Sequence, residues 1–295
     1  MTAELQPIVA RQRPMGAAQR PRRPFEMWKW VTATVWAMLV VWSIWGLDVK
    51  WSRLFDAPAD LYRLFELMFT QLSSSDFGRC IRAMWDSIAM AWLGTLIAAV
   101  VAVPLALLAA ENVAPGWVSF LMRQLFNLLR AVPELILVLA LIPVLGLTTS
   151  AGIVAIAIGS IGTLGKLCSE VIEAIDRGPI EAADATGASQ LQRLRWAVLP
   201  QSIPEIASFI LYRFEINIRV SSVLGVLGVG GIGSLLNDGL EFREYGLAGM
   251  ALIVVIVTTI AIDTVSAAVR RRIIAGPQHL LASPEEPATV GELLL

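Results

Sequence analysis

Histidine is almost absent from this 295-residue chain, and the one present, His279, sits in the C-terminal tail. Cysteine is nearly as scarce, with only Cys80 and Cys168. These two shortages remove whole classes of chemistry. No stretch offers the His, Cys and acid spacing of a zinc or transition-metal site, so no metal and no cofactor is expected. No apolar segment contains His, and Asp263 is the one Asp well inside such a segment. Intramembrane hydrolysis by a Ser-His or paired-Asp arrangement is therefore disfavoured, and no catalytic residue is assigned. A phosphate-binding P-loop is missing too. Gly165-Lys166 is followed by Leu167 rather than Ser or Thr, and Ser160 stands where that motif needs Gly. Charge is also sparse, at 16% of residues.

What replaces charge is apolar sequence: 56% of residues are hydrophobic and the mean hydropathy is +0.68. Six segments approach the roughly 20 apolar residues that cross a hydrocarbon core, near 29–47, 87–110, 131–147, 150–167, 203–235 and 246–268. The expected fold is an all-α integral membrane protein with six transmembrane helices. Basic residues set its orientation. Arg11, Arg13, Arg20, Arg22, Arg23 and Lys29 keep the N-terminus cytoplasmic. Threading six spans from there puts Arg123, Arg130, Lys166, Arg177, Arg193, Arg195 and Arg270 to Arg272 on the same side, with both termini inside. Cys80 and Cys168 fall on opposite sides, so no disulfide within the chain is expected.

The expected organisation is a disordered basic arm over 1–27, a first span over 28–47, an outer loop over 48–85, a core over 86–272 and a tail over 273–295. A cleaved signal peptide is not expected: the first apolar segment is long and Trp-rich, with no small-residue cleavage site after it. Within the outer loop, apolar residues at 61, 64, 65, 67, 68 and 69 fit one helical face, either lying on the membrane surface or packing on the spans. Gly152, Gly159, Gly162 and Gly165 predict close helix packing in the fourth segment.

Residues 178–200 form a polar interruption between apolar segments. Gly178-Pro179 ends one helix and starts another, and Glu181 stands near the new N-terminus, where the helix dipole favours it. Gly187 suits the left-handed turn that closes this short helix. Ser189 to Gln192 matches a capping box for a second helix, which Leu199-Pro200 is expected to stop.

The fifth segment carries the most costly charges, each about 2.5–3.5 kcal/mol near mid-bilayer on insertion scales. Glu215 and Arg219 stack at i,i+4 as an ion pair, while Arg213, Asn217 and Ser221 form a ladder on nearly the opposite face. One ladder can be internal glue while the other lines an aqueous path. Arg213, Asn217, Arg219, Ser221 and Ser222 are the candidate path residues. Asp263 and Arg270, seven apart on one helical side, form a second expected pair. Gly228, Gly230 and Gly233 spell a formal G-x-G-x-x-G, but without a preceding strand or a soluble βαβ unit they predict, with Gly231, a helix break and not a dinucleotide site.

The segment Glu181-Ala-Ala-Asp-Ala-Thr-Gly187-Ala188, continuing to Leu199-Pro200, resembles the EAA loop of ABC importer permeases. Further blocks are similar to phosphonate permeases: Leu129 to Glu134, Gly165 to Pro179, and Leu211 to Arg219 leading to Gly230-Gly-Ile-Gly233. The resemblance covers about 85–272. It implies the type I importer permease fold, one N-terminal helix plus a five-helix core, in a prokaryotic inner membrane. It also implies ATP hydrolysis in a partner, pairing of two permease subunits, two cytoplasmic ATPase subunits and an extracytoplasmic phosphonate-binding protein; no nucleic acid is expected. Pro179, Glu181, Ala182, Ala183, Thr186, Gly187 and Ala188 would form the coupling surface, with Gly187 as its turn and Glu181 and Ala182 against the ATPase. Gly159-Ser160 and Thr148-Thr149 depart from the family pattern, so phosphite, phosphate or another oxyanion stands beside phosphonate. Import of another small solute such as methionine is the alternative, and a passive channel or structural subunit a more distant one.

Overall fold

The computed structural model describes residues 27–46 and 50–275. Two compact units divide at Pro58. The first contains α1 (Met27–Gly46), a 20-residue apolar helix in which Thr32 and Thr34 return their hydroxyls to the carbonyls of Trp28 and Trp30. Those internal bonds satisfy the two polar side chains without outside partners. Most of the N-terminal arm, and the tail beyond 275 with His279, lie outside the described residues.

Helix α2 (Trp51–Thr70) crosses the division between the units. In the second unit its end packs on α11 (Tyr245–Ala275), because Gly246 and Gly249 let the backbone of Gln71 and Met68 approach. Of the two readings of the outer-loop helix, this end takes the packed one, while Leu61, Tyr62 and Phe65 stay exposed.

Helix α3 (Ser74–Ala109) starts well before residue 87. The Ser73 hydroxyl caps it by accepting from the Ser75 amide, and 36 residues follow. At 1.5 Å per residue that is about 54 Å, longer than a hydrocarbon core, so the domain edge expected at 85/86 falls inside a continuous helix. Apolarity marks the length of such a helix that suits lipid and is silent about its charged extension, which nonetheless buries Cys80 and Met84. The third segment, 131–147, holds one helix, and a further helix that hydropathy did not mark precedes it. The two, α4 (Gly116–Ala131) and α5 (Glu134–Leu145), are bent by 83°. Pro133 explains the break, since it has no amide to donate and forces Val132 into extended backbone.

Helix α6 (Thr149–Ala174) runs down the middle of the unit and packs most extensively on α3. Small residues make this approach possible. A Cβ on Gly94 would come within 2.6 Å of Ile156, one on Gly152 within 2.6 Å of the Met90 sulfur, and one on Gly165 would enter the Phe126 ring. After α7 (Gly178–Ala185) and α8 (Gln190–Arg193), a π turn at Leu194–Val198 leads into α9 (Leu199–Leu224). A second π turn, Gly225–Val229, precedes α10 (Ile232–Glu241) and α11. Four helices are long and apolar enough to cross a membrane, or up to six if each bent pair is one span. No strand occurs among the described residues.

Candidate functional site

Two features concentrate the polar residues of this apolar unit: the loop between α6 and α9, and a seam of buried polar side chains around α9.

The loop begins where Ile175 leaves α6 in extended backbone. The Asp176 carboxylate accepts from the Gly178 amide at 3.0 Å, and Pro179 occupies the first turn of α7. None of the eight α7 residues is buried, Glu181 lies in the first turn, and Gly187 closes the turn with φ 72°. The left-handed backbone there is one that a side chain would strain. Ser189 and Gln192 then form a reciprocal capping box that starts α8. Arg193 reaches back to Asp184 at 3.7 Å, closing helix, turn and helix on themselves. Between the two helices Ala183, Thr186, Gly187, Ala188, Gln192 and the exposed Trp196 border a shallow groove. Replacing Ser189 with Ala is expected to cost about 1 kcal/mol of local stability. Faster amide exchange at Leu191 to Arg193, with the spans unchanged, is the readout.

The sequence expectation of a stop at Pro200 is corrected. The chain stays helical through it, because the π turn gives Leu199 a bond to the Leu194 carbonyl and Pro200 falls in the first turn of α9, where a missing amide costs nothing. Gln201, which sequence reasoning did not single out, ties the start of α9 to the beginning of the loop. Its side-chain amide donates to the Asp176 and Ala197 carbonyls, at 3.3 and 2.7 Å, and its oxygen accepts from the Asp176 amide at 3.1 Å. At the neighbouring α3–α4 turn, Arg123 contacts Glu173, Glu111 and the Ala109 carbonyl, while Asn112 donates to the Ile172 carbonyl. The α6 end is thereby tied on two sides.

Within the bundle, Arg213, Asn217 and Ser221 are 7%, 0% and 0% exposed, so the ladder expected to line a path is interior. Arg213 donates to Glu134 at 2.6 Å and to the Ser160 hydroxyl at 3.0 Å. Asn217 donates to Ser160 at 2.9 Å and to Thr95 at 2.8 Å, and the Thr95 hydroxyl donates to the Ala91 carbonyl. This seam joins α3, α5, α6 and α9. Gly159 makes room for it, since a Cβ there would come within 2.8 Å of the Glu134 side chain. Helical periodicity separates two polar faces of α9, but only the neighbours decide which is enclosed. Glu134 ends one of the blocks that resemble the family and Ser160 belongs to a departure from its pattern, but neither was named a site residue from sequence. Both become functional candidates through their partners.

The expected pairs are also corrected. Glu215 does not hold Arg219, nor Asp263 Arg270; partners exchange across α9 and α11. Arg219 donates to Asp263 at 2.6 Å and Arg270 to Glu215. Arg270 also lies over the Tyr212 ring, 5.9 Å from its centre. Side-by-side packing of the two helices lets each guanidinium meet a carboxylate end-on, which stacking along one helix does not. The Arg219 side chain is 51% exposed, and with Pro133, Glu134, Leu135, Val220 and Val223 it borders a cavity of about 260 Å³. Ser222 turns its hydroxyl back to the Ile218 carbonyl.

Beyond α9 the backbone breaks at Gly228, Gly230 and Gly231, with φ of 87°, 97° and 83°. Gly233, in the first turn of α10, is pressed against the Ser222 carbonyl, where no Cβ fits. Ser87 ties this break to α3: its hydroxyl accepts from the Ile232 amide at 2.9 Å and its carbonyl accepts from Ser221 at 2.9 Å. Broken helices of this kind, with backbone turned inward, suit a membrane protein with an interior passage.

Comparison with known proteins agrees with this geometry. The profile of the family described as "binding-protein-dependent transport system inner membrane component" matches residues 102–275. The phosphite transport system permease protein PtxC of Stutzerimonas stutzeri is 38% identical over 198 residues, 67% of this chain and 72% of that one. The phosphate-import permease protein PhnE of Mycolicibacterium smegmatis is 39% identical over 193 residues, 64% of this chain but 36% of its own length. Among solved structures, an inward-facing methionine ABC transporter MetNI superposes with a TM-score of 0.62 at 20% identity, covering 68% of this chain and 99% of that one. With its bent spans, its exposed loop and a family match over more than half its length, the chain belongs to the binding-protein-dependent inner membrane components, the permease subunits of ABC importers.

Proposed function

We propose that the chain moves phosphonate, or a phosphite- or phosphate-like oxyanion, into the cytoplasm by alternating access. In this reading it works as one of two paired copies, with two ATPase subunits on the cytoplasmic side and a binding protein delivering cargo outside. Both termini and the α6–α9 loop face the cytoplasm. The observation that carries the reading is the exposed α7, whose closing turn at Gly187 leads without a helix stop into α9. A partner that moves α7 therefore moves the helix bearing Arg213 and Arg219. Pro179, Glu181, Ala182, Ala183, Thr186, Gly187 and Ala188 form the contact surface. Arg219 and the cavity beside it are on the path, and the Arg213 seam holds the path wall in shape. Guanidinium groups there lower the cost of taking an anion out of water. The similarity to permeases named for phosphite and phosphate supports the oxyanion. The methionine transporter shares the fold alone.

Titrating the cognate binding protein by calorimetry tests the cargo. Methylphosphonate, phosphite or phosphate is expected to bind with submicromolar Kd, and methionine not at all. Tight binding of methionine with no response to the oxyanions would refute this choice of cargo.

A further inference from the structure

Where the end of α4 meets α6, Arg130, Thr163, Lys166, Leu167 and Glu170 line a cavity of about 260 Å³. Arg130 lays its stem over Gly162, where a Cβ would come within 2.9 Å of the Arg130 Cγ. Among the described residues its guanidinium makes no ion pair and no hydrogen bond, unlike Arg123, Arg213, Arg219 and Arg270. Lys166 meets only Glu170, at 4.0 Å, with the two side chains 45% and 57% exposed. A solvated pair of that kind holds its members weakly. Thr163 lies one turn before Lys166 and gives its hydroxyl to the Gly159 carbonyl at 3.4 Å, a long bond that is readily redirected.

We propose that this cavity binds a phosphate-type oxyanion. Arg130 offers a two-pronged guanidinium, Lys166 a point charge and Thr163 a hydroxyl. They approach from two helices, as the several oxygens of a tetrahedral anion require. With Glu170 included the lining keeps one net positive charge. The position suits the loop end of the path. Lys166 is eight residues before the end of α6, about 12 Å at 1.5 Å per residue. Along α6, Ser160 holds Arg213, Gly162 abuts Arg130 and Lys166 follows, so three cations succeed one another over about 9 Å of helix. The site takes from the proposed function only that the cargo is an oxyanion. An anionic lipid headgroup offers the same chemistry as free phosphate.

The test uses the assembled transporter with its ATPase subunits, without binding protein or nucleotide, titrated with inorganic phosphate and followed by ³¹P line broadening. Saturable binding in the millimolar range is expected, at least tenfold weaker in Arg130→Gln/Lys166→Gln and severalfold weaker in Thr163→Val. Arg79→Gln, far away at the start of α3, should bind as the wild type does. Basal ATP hydrolysis and intact assembly report that the variants are folded. Nanodiscs of phosphatidylcholine and of phosphatidylglycerol separate the sources. Binding equal in both assigns the site to free oxyanion, and binding competed away by phosphatidylglycerol, with loss in the double variant, assigns it to the headgroup. Absence of saturation up to about 10 mM, or a double variant that binds as tightly as the wild type, would overturn the proposal. Phosphate is added directly, so a wrong cargo would show in the binding-protein titration and not here.

Discussion

Gly187→Asp is expected to abolish uptake and the transport-linked part of ATP hydrolysis while leaving the inserted, folded protein in place. The position separates fold from function. Beyond its chain neighbours no atom stands within 4 Å of where its Cβ would be, and its φ of 72° lies in the left-handed region. Asp tolerates that region better than most residues, so strain stays at about 1 kcal/mol. What changes is the surface. A carboxylate is added at the tip of a loop that already presents Glu181 and Asp184, on the face proposed to enter the ATPase subunit. Losing about 3 kcal/mol of docking energy is roughly a hundredfold in occupancy, enough to bring uptake to background. Gly187→Asn keeps the left-handed tolerance without the charge and should retain more activity. Proteoliposome uptake, with co-purification of the ATPase as the docking readout, gives the answer. Wild-type uptake by inserted Gly187→Asp would sink the coupling role.

Arg213→Met should cost about 3 kcal/mol of stability, at the low end for breaking a buried pair because the Glu134 side chain keeps 28% exposure. The loss comes mostly from what is left behind. Glu134 loses its cation, and Ser160 loses one of its two donors next to an Asn217 whose own carbonyl oxygen already lacks a partner. Adding Glu134→Gln removes the stranded charge, so the double variant should recover most of the loss. Thermal unfolding in detergent of the single and double variants measures the coupling. Equal destabilisation by both would mean that the pair is not a unit.

Much of the fold could be read from the chain because lipid imposes a coarse demand: apolar length gives spans, and Gly, Pro and Ser punctuate them. The loop was legible for the same reason. Gly178-Pro179, Gly187 and the Ser189 to Gln192 box are local instructions, each complete within a few residues. Partner choice was not legible. Glu215 and Arg219 look paired on a helical wheel, yet α11 supplies a better acceptor and a better donor for each. The start of α3 was misjudged, and the bend at Pro133 missed, where hydropathy alone drew the boundary; the end of α3 near 110 was read correctly. The Arg213 ladder turned inward because Glu134, Ser160 and Thr95, distant in sequence, accept from Arg213 and Asn217.

The π turn at Leu194–Val198 also fixes a heading. One residue beyond the α-helical repeat advances the phase by about 100°, so α8 and α9 share an axis without sharing a stripe. A wheel drawn unbroken from Gln190 to Leu224 would set the outward face of the loop against the wrong side of the seam. The azimuth at which the loop stands relative to the seam is thus decided by a count of one residue.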